Sequence, residues 1–116
     1  MNLRPSTAEM ESSLSVIREF LSETPLNLES NISALTGATT YVKHEYKSPV
    51  NSFKPRGALT LVHRLAQSGN VTKVITASTG NHGSAMAYAC QKFDIPVSYT
   101  HLRAHETLRY LVCRLL

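Results

Sequence analysis

The sequence predicts an α/β fold with an open, mainly parallel sheet. Helical spacing and β-branched runs alternate along the chain as helix, strand, helix, strand, helix, strand, the pattern of strands covered by crossover helices. Residues 71–77 (Val-Thr-Lys-Val-Ile-Thr-Ala) form a short β-favouring run bounded by turn residues, as expected of a buried parallel strand. The segment that follows is rich in small residues (Ala85, Ala87, Ala89), which lets a helix lie close against a sheet.

In order, Pro5-Ser6 opens a first helix. Ser6 and Glu9 have capping-box spacing. Met10, Leu14, Ile17 and Leu21 recur at helical intervals and predict one apolar stripe to about Ser22. Pro25 then pushes Thr24 towards extended geometry and stops the helix. Residues 30–35 read as a short helical turn ended by Gly37, and residues 39–45 as a strand. A polar loop with Pro49 and Asn51 covers residues 46–52. A second long helix is expected over 55–68, with Ser52 as its cap, Pro55 in its first turn and Gly69-Asn70 as its stop. Leu59, Val62, Leu65 and Ala66 give that helix its apolar face. After the 71–77 strand come a loop over 78–83, a third helix over 84–93, and a new strand beginning at Ile95-Pro96-Val97.

A chain of 116 residues with 42% hydrophobic and 17% charged residues is one globular unit at most. No 18-residue apolar run and no N-terminal h-region are present, so neither a membrane span nor a secretory signal is expected. Two cysteines, Cys90 and Cys113, do not make a disulfide framework, and a cytoplasmic setting is the natural expectation. The net charge is +4, but residues 98–116 hold three Arg and one Glu and so supply half of it. The remainder has no basic run and no interleaved aromatics, which excludes nucleic acid as the expected partner. His44, His63, His101 and His105 do not combine with the two cysteines into a four-ligand Cys/His pattern, so no metal is expected.

Two clusters carry the chemistry. The first is Ser52-Phe53-Lys54-Pro55-Arg56-Gly57-Ala58, which sets a lysine at a helix start, where the positive end of the helix disfavours an ammonium. Phe53 can pack behind Lys54, and Gly57 permits a close backbone approach. Alone, the cluster reads more readily as a solvated surface lysine beside a buried phenylalanine. The second is Ser78-Thr79-Gly80-Asn81-His82-Gly83, a loop running from the carboxyl end of a strand into a helix N-terminus, which suits a carboxylate. Alone, it reads equally as an ordinary strand-to-helix turn.

Together, one helix and one strand apart, the clusters resemble the lysine motif and asparagine loop of pyridoxal-phosphate enzymes of fold type II, the tryptophan-synthase-β-like fold. Within that family the chain is most similar to threonine/serine dehydratases. The resemblance spans roughly residues 20–97 and includes Thr24-Pro25-Leu26 and Tyr41-Val42-Lys43-His44-Glu45. It implies a three-layer α/β domain and pyridoxal 5'-phosphate as cofactor. Lys54 looks like the lysine that holds this cofactor as an internal aldimine and moves the substrate α-proton. Phe53 resembles the residue beside the cofactor ring, and Asn81 the donor to its 3-hydroxyl. Ser78, Thr79, Gly80, Asn81 and His82 match the substrate-carboxylate loop. The implied reaction is an ammonia-lyase elimination from a hydroxy-amino acid to a 2-oxo acid and ammonia. His82 favours a dehydratase over β-replacement or synthase members. Thr79 leaves a serine-racemase-like activity open, and a non-catalytic truncated α/β module is the reading outside enzymes. The full-length form is expected to be a homo-oligomer acting on a small amino acid.

After Val97 the family pattern calls for an apolar strand, whereas this chain reads Ser98-Tyr99-Thr100-His101-Leu102-Arg103-Ala104-His105-Glu106-Thr107. The expectation is therefore that residues 1–97 are the N-terminal part of a lyase domain. Residues 98–116 are expected to be an anomalous tail that breaks the strand and resembles read-through or cloning sequence. Its Leu108, Leu111, Val112 and Leu115 also fit helical spacing. No phosphate-binding loop and no partner for the pyridine nitrogen can be assigned, so the chain alone is expected to be inactive.

Overall fold

Residues 4–102 are described by a computed structural model. Helix α1 (Thr7–Phe20) starts at the expected capping box: the Ser6 amide donates to Glu9 Oε2 at 2.8 Å, and the Glu9 amide donates to Ser6 Oγ at 3.3 Å. The expected stripe is displaced. Val16 and Leu21 are buried, whereas Met10 and Leu14 face solvent. Only the C-terminal half of α1 reaches the core, where Ile17 and Phe20 join it.

Strand β1 (Leu26–Leu28) was not expected from the sequence. It pairs antiparallel with β2 (Tyr41–Lys43), in the register Leu26 to Lys43 and Leu28 to Tyr41. The expected 39–45 strand is thus three residues long, and Glu45 instead opens a 3₁₀ turn (Glu45–Lys47). Helix α2 (Ser30–Thr36) bridges the two strands and ends at Gly37, whose φ of 68° is the left-handed conformation a glycine adopts without steric cost.

Helix α3 (Pro55–Ser68) has the expected bounds, with Pro55 in its first turn and Gly69 as a left-handed cap at φ 66°. Leu59 and Val62 are fully buried, worth about 1.5–3 kcal/mol each by area. Leu65 is partly buried against the core, whereas Ala66, expected on the same face, is exposed. Strand β3 (Val74–Ser78) begins three residues later than expected and pairs parallel with β4 (Val97–His101), Val74 opposite Val97 and Ser78 opposite His101. The strand expected to break after Val97 therefore continues to His101, while residues 103–116 of the expected tail lie outside the described residues.

The expectation of a fully buried β3 is also corrected. Val74, Thr76 and Ser78 face inward, but Ile75 is 77% exposed, since no described element covers that face of the sheet. Helix α4 (Asn81–Lys92) covers the other face through Ala85, Met86, Ala89 and Cys90. It starts three residues earlier than expected. The core lies where α1, α3 and α4 meet β3 and β4. Phe20 and Phe93 meet edge to face at 5.1 Å, and the Tyr88 hydroxyl donates to Phe20 O at 3.1 Å, which ties α1 to α4.

Candidate active site

Short connections after α3 and after β3 reverse the chain, and α3 packs alongside α4. Helix α4 follows β3 after two residues and packs on it, so its N-terminus lies at the carboxyl end of the strand. That end is where open α/β sheets bind ligands.

Lys54 is the N-cap residue of α3, already helical in backbone, and is half-buried. Its carbonyl accepts from Ala58 N at 3.1 Å, so the turn that carries it is closed. Its ammonium has no hydrogen bond or ion pair among the described residues. Phe53 is 63% exposed and does not pack behind Lys54. Gly57 admits no close approach either: a Cβ there would meet nothing within 4 Å.

Ser52 is not the helix cap. No side chain caps α3; the Ser52 hydroxyl is buried and has no partner. The backbone of Ser52 is held by Ser48, whose Oγ donates to Ser52 O at 2.6 Å and accepts from Ser52 N at 3.1 Å. Ser52 lies two residues before Lys54, outside the N-cap position.

The second cluster is tighter than a six-residue loop. Ser78 ends β3, and Asn81, His82 and Gly83 already form the first turn of α4, leaving Thr79 and Gly80 as the link. Ser78 Oγ accepts from Gly80 N at 3.1 Å and keeps its own proton for another acceptor. Thr79, Asn81 and His82 are exposed. No side chain caps α4, so the amides of Asn81 and His82 have no acceptor within the helix and face outward from its positive end. Hydroxyl, amide and backbone donors of this kind suit a carboxylate or a phenolate oxygen. With the open lysine and the unpartnered Ser52 hydroxyl, the donor set fits a pyridoxal ring and its amino-acid substrate.

One group of site-flanking residues was not singled out by the sequence reading. Arg56 Nε donates to Glu45 Oε2 and Arg56 Nη2 to Glu45 Oε1, both at 2.9 Å, and Thr24 Oγ1 donates to the same Oε1 at 2.7 Å. Arg56 Nη2 also reaches Thr24 Oγ1 at 3.3 Å, and Lys43 Nζ donates to Thr24 O. The Arg56 guanidinium, ahead of the Thr24 hydroxyl and the charge of Lys43, holds the Glu45 carboxyl below the ordinary glutamate range. Thr24, Lys43, Glu45 and Arg56 all fall in or beside the segments that carry the family resemblance, which was the available signal. Elsewhere, His44 Nε2 lies 3.3 Å from Glu29 Oε1, an ion pair when the ring is protonated. Among the described residues no cluster of three metal-ligating side chains occurs, and no helix is long and apolar enough to cross a membrane.

The model of the pyridoxal-phosphate-dependent enzyme family matches residues 17–106. The biosynthetic L-threonine dehydratase of Mycobacterium leprae is 34% identical over 90 residues, covering 78% of this chain and 21% of that protein. Its counterpart in Mycobacterium tuberculosis is 37% identical over 86 residues, 74% of this chain and 20% of that one. The chain thus spans about a fifth of the length of these curated relatives. Among solved structures, maize serine racemase superposes with a TM-score of 0.73 at 27% identity, over 79% of this chain and 29% of that one. The processed threonine deaminase isoform 2 of Solanum lycopersicum gives 0.65 at 32% identity, over 82% and 29%. Both the sequence and the α/β framework place the chain in fold type II, and it belongs to the pyridoxal-phosphate-dependent enzyme family.

Proposed function

We propose that the chain carries the lysine-bearing part of a threonine/serine dehydratase-like ammonia-lyase active site. The observation that carries this reading is the pairing of an unpartnered Lys54 at the start of α3 with the uncapped, donor-rich start of α4. Similarity to threonine dehydratases over most of the chain supports it.

In this reading Lys54 Nζ would hold the cofactor until the substrate amine replaces it, and the freed Lys54 amine would then take the α-proton of the substrate. Ser78, Thr79, Gly80, Asn81 and His82 grip the substrate carboxylate and fix the α-carbon beside Lys54, which turns proton transfer into a positioned step. Asn81 would donate to the cofactor hydroxyl and Phe53 would border its ring. When bound, the cofactor supplies the electron sink for the α-carbon. The substrate is a small hydroxy-amino acid. Its β-hydroxyl leaves as water, water is then regained as the imine hydrolyses, and the net products are a 2-oxo acid and ammonia. The setting is cytoplasmic and the full-length enzyme a homo-oligomer. The chain alone, at about a fifth of the relatives' length, does not turn over substrate.

A chimaera tests the reading: residues 20–97 replace the matching segment of a biosynthetic threonine dehydratase. Release of 2-oxo acid from threonine or serine without a second nucleophile, abolished by Lys54→Ala, is the expected result. Activity that survives Lys54→Ala overturns it. The likeness to maize serine racemase favours a second reading, racemisation, which the same chimaera reports as D-serine without 2-oxo acid.

A further inference from the structure

We propose that Arg56 and Glu45 form the positioning clasp of Lys54, setting the lysine-bearing turn against the β1–β2 hairpin. This inference rests on the Lys54 assignment above. Three features of the structure support it.

First, the pair is bidentate and is joined by Thr24, so three chain segments meet at one carboxylate. Two parallel bonds fix direction as well as distance, which a single point-charge contact does not. Second, Arg56 stands two residues beyond Lys54 in the same turn. Its amide donates to Phe53 O at 3.2 Å, a bond that closes the turn around Lys54, so the clasp anchors the same turn that carries the lysine. A cation in the first turn of a helix opposes the helix dipole, and local helix stability gives no reason for arginine there. A carboxylate reaching in from outside the helix does.

Third, the hairpin has little else to hold it to α3. Among the described residues none of β1, α2 or β2 belongs to the buried core, and Leu26, Leu28 and Tyr41 are all more than half exposed. Lys43 extends the clasp by donating to Thr24 O, and His44 N donates to Pro25 O at 2.8 Å, which stiffens the hairpin side.

The test uses the whole 116-residue chain, treated with pyridoxal phosphate and then borohydride, with peptide mapping of the modified lysines. Lys54 is expected to be modified in preference to Lys43, Lys47, Lys73 and Lys92. Arg56→Ala and Glu45→Gln should each lower that preference about tenfold, the factor carried by one charge-assisted hydrogen bond. Amide exchange over residues 53–58 should speed up in parallel while exchange in α4 stays unchanged. The double variant should be no worse than the worse single one, because the two side chains act as a unit. Unchanged preference and exchange in both single variants, or additive losses in the double variant, overturn the clasp.

If the unsubstituted chain shows no preference for Lys54, the Lys54 assignment falls instead. The clasp is then decided by exchange at 53–58, faster in Arg56→Ala if it stands and unchanged if it does not. Should Arg56→Ala also loosen α4, Arg56→Lys decides. It keeps the charge and loses the second parallel bond, so a lowered preference with α4 intact supports the clasp and an unchanged preference overturns it.

Discussion

The ring of Tyr99 fills the space that a side chain at position 83 would need: a Cβ on Gly83 would collide with the Tyr99 ring at Cε2. The ring is held by its hydroxyl, which donates to Ser78 O at 3.0 Å and lies 2.8 Å from His101 Nδ1. Strand β4 and the first turn of α4 are therefore fitted to one another directly beside the asparagine loop. Gly83→Ala should destabilise the chain by ~1–3 kcal/mol, the usual range for overpacking. Most of that loss should vanish in a Tyr99→Ala background. Urea unfolding of the two single variants and the double variant measures the coupling, and equal losses from Gly83→Ala in both backgrounds would contradict the contact.

The unpartnered Ser52 hydroxyl gives a second expectation. In the chain without cofactor, Ser52→Ala removes a buried donor that nothing satisfies, and should be neutral or stabilising by up to ~1 kcal/mol. The same change should weaken capture of pyridoxal phosphate if the hydroxyl lines its site. Thermal melts with and without pyridoxal phosphate read both effects, and a clear destabilisation of the cofactor-free chain would show that Ser52 has a partner after all.

Glu45 sets an acid limb. Its carboxyl is held low in the folded chain, chiefly by Arg56, so the folded form binds this proton less readily than the unfolded form does. The stability it contributes is fully present above the ordinary glutamate value and is lost as pH falls through the lowered one. Side-chain exposures of 31% for Arg56 and 23% for Glu45 place the pair near the top of the range for partly exposed ion pairs, about 1 kcal/mol. Glu45→Gln should lower stability at neutral pH by that amount and flatten the decline on acidification. Unfolding midpoints measured from neutral to strongly acid pH check it. Glu9, whose carboxyl is held low by the Ser6 amide and hydroxyl, leaves a residual slope in that variant.

Cys90 is fully buried in α4 and burial pushes its thiol up. It should resist iodoacetamide at mildly alkaline pH in the folded chain and react completely in denaturant. Peptide mapping separates it from Cys113. Rapid labelling without denaturant would mean that α4 leaves the sheet readily.

The sequence by itself determined the elements whose signals are local. The Ser6 and Glu9 capping box, Pro55 at the start of α3, and Gly37 and Gly69 in left-handed caps each act within one turn, so their positions can be read without knowing the neighbours. A mainly parallel sheet was legible from the alternation of helices and strands, and β3 and β4 do pair parallel, although which strands pair was not read from the sequence. The two motifs gave family and cofactor because their residue types and spacing are specific in combination.

Tertiary structure decided what depends on distant partners. Strand β1 is three exposed residues and exists because β2 pairs with it, so no periodicity announces it. Ser52 does not cap α3 because the helix starts two residues later than a Ser52 cap requires, with Lys54 at the N-cap. Met10, Leu14 and Ile75 look like core in sequence, yet burial requires a facing layer, and no described element supplies one. The continuation of β4 through Ser98 and Tyr99 against an unpromising composition follows from ladder pairing with β3 and from the space that Gly83 leaves. The meeting of Thr24, Glu45 and Arg56 joins residues 21, 11 and 32 positions apart, and only the folded chain brings them within hydrogen-bond reach.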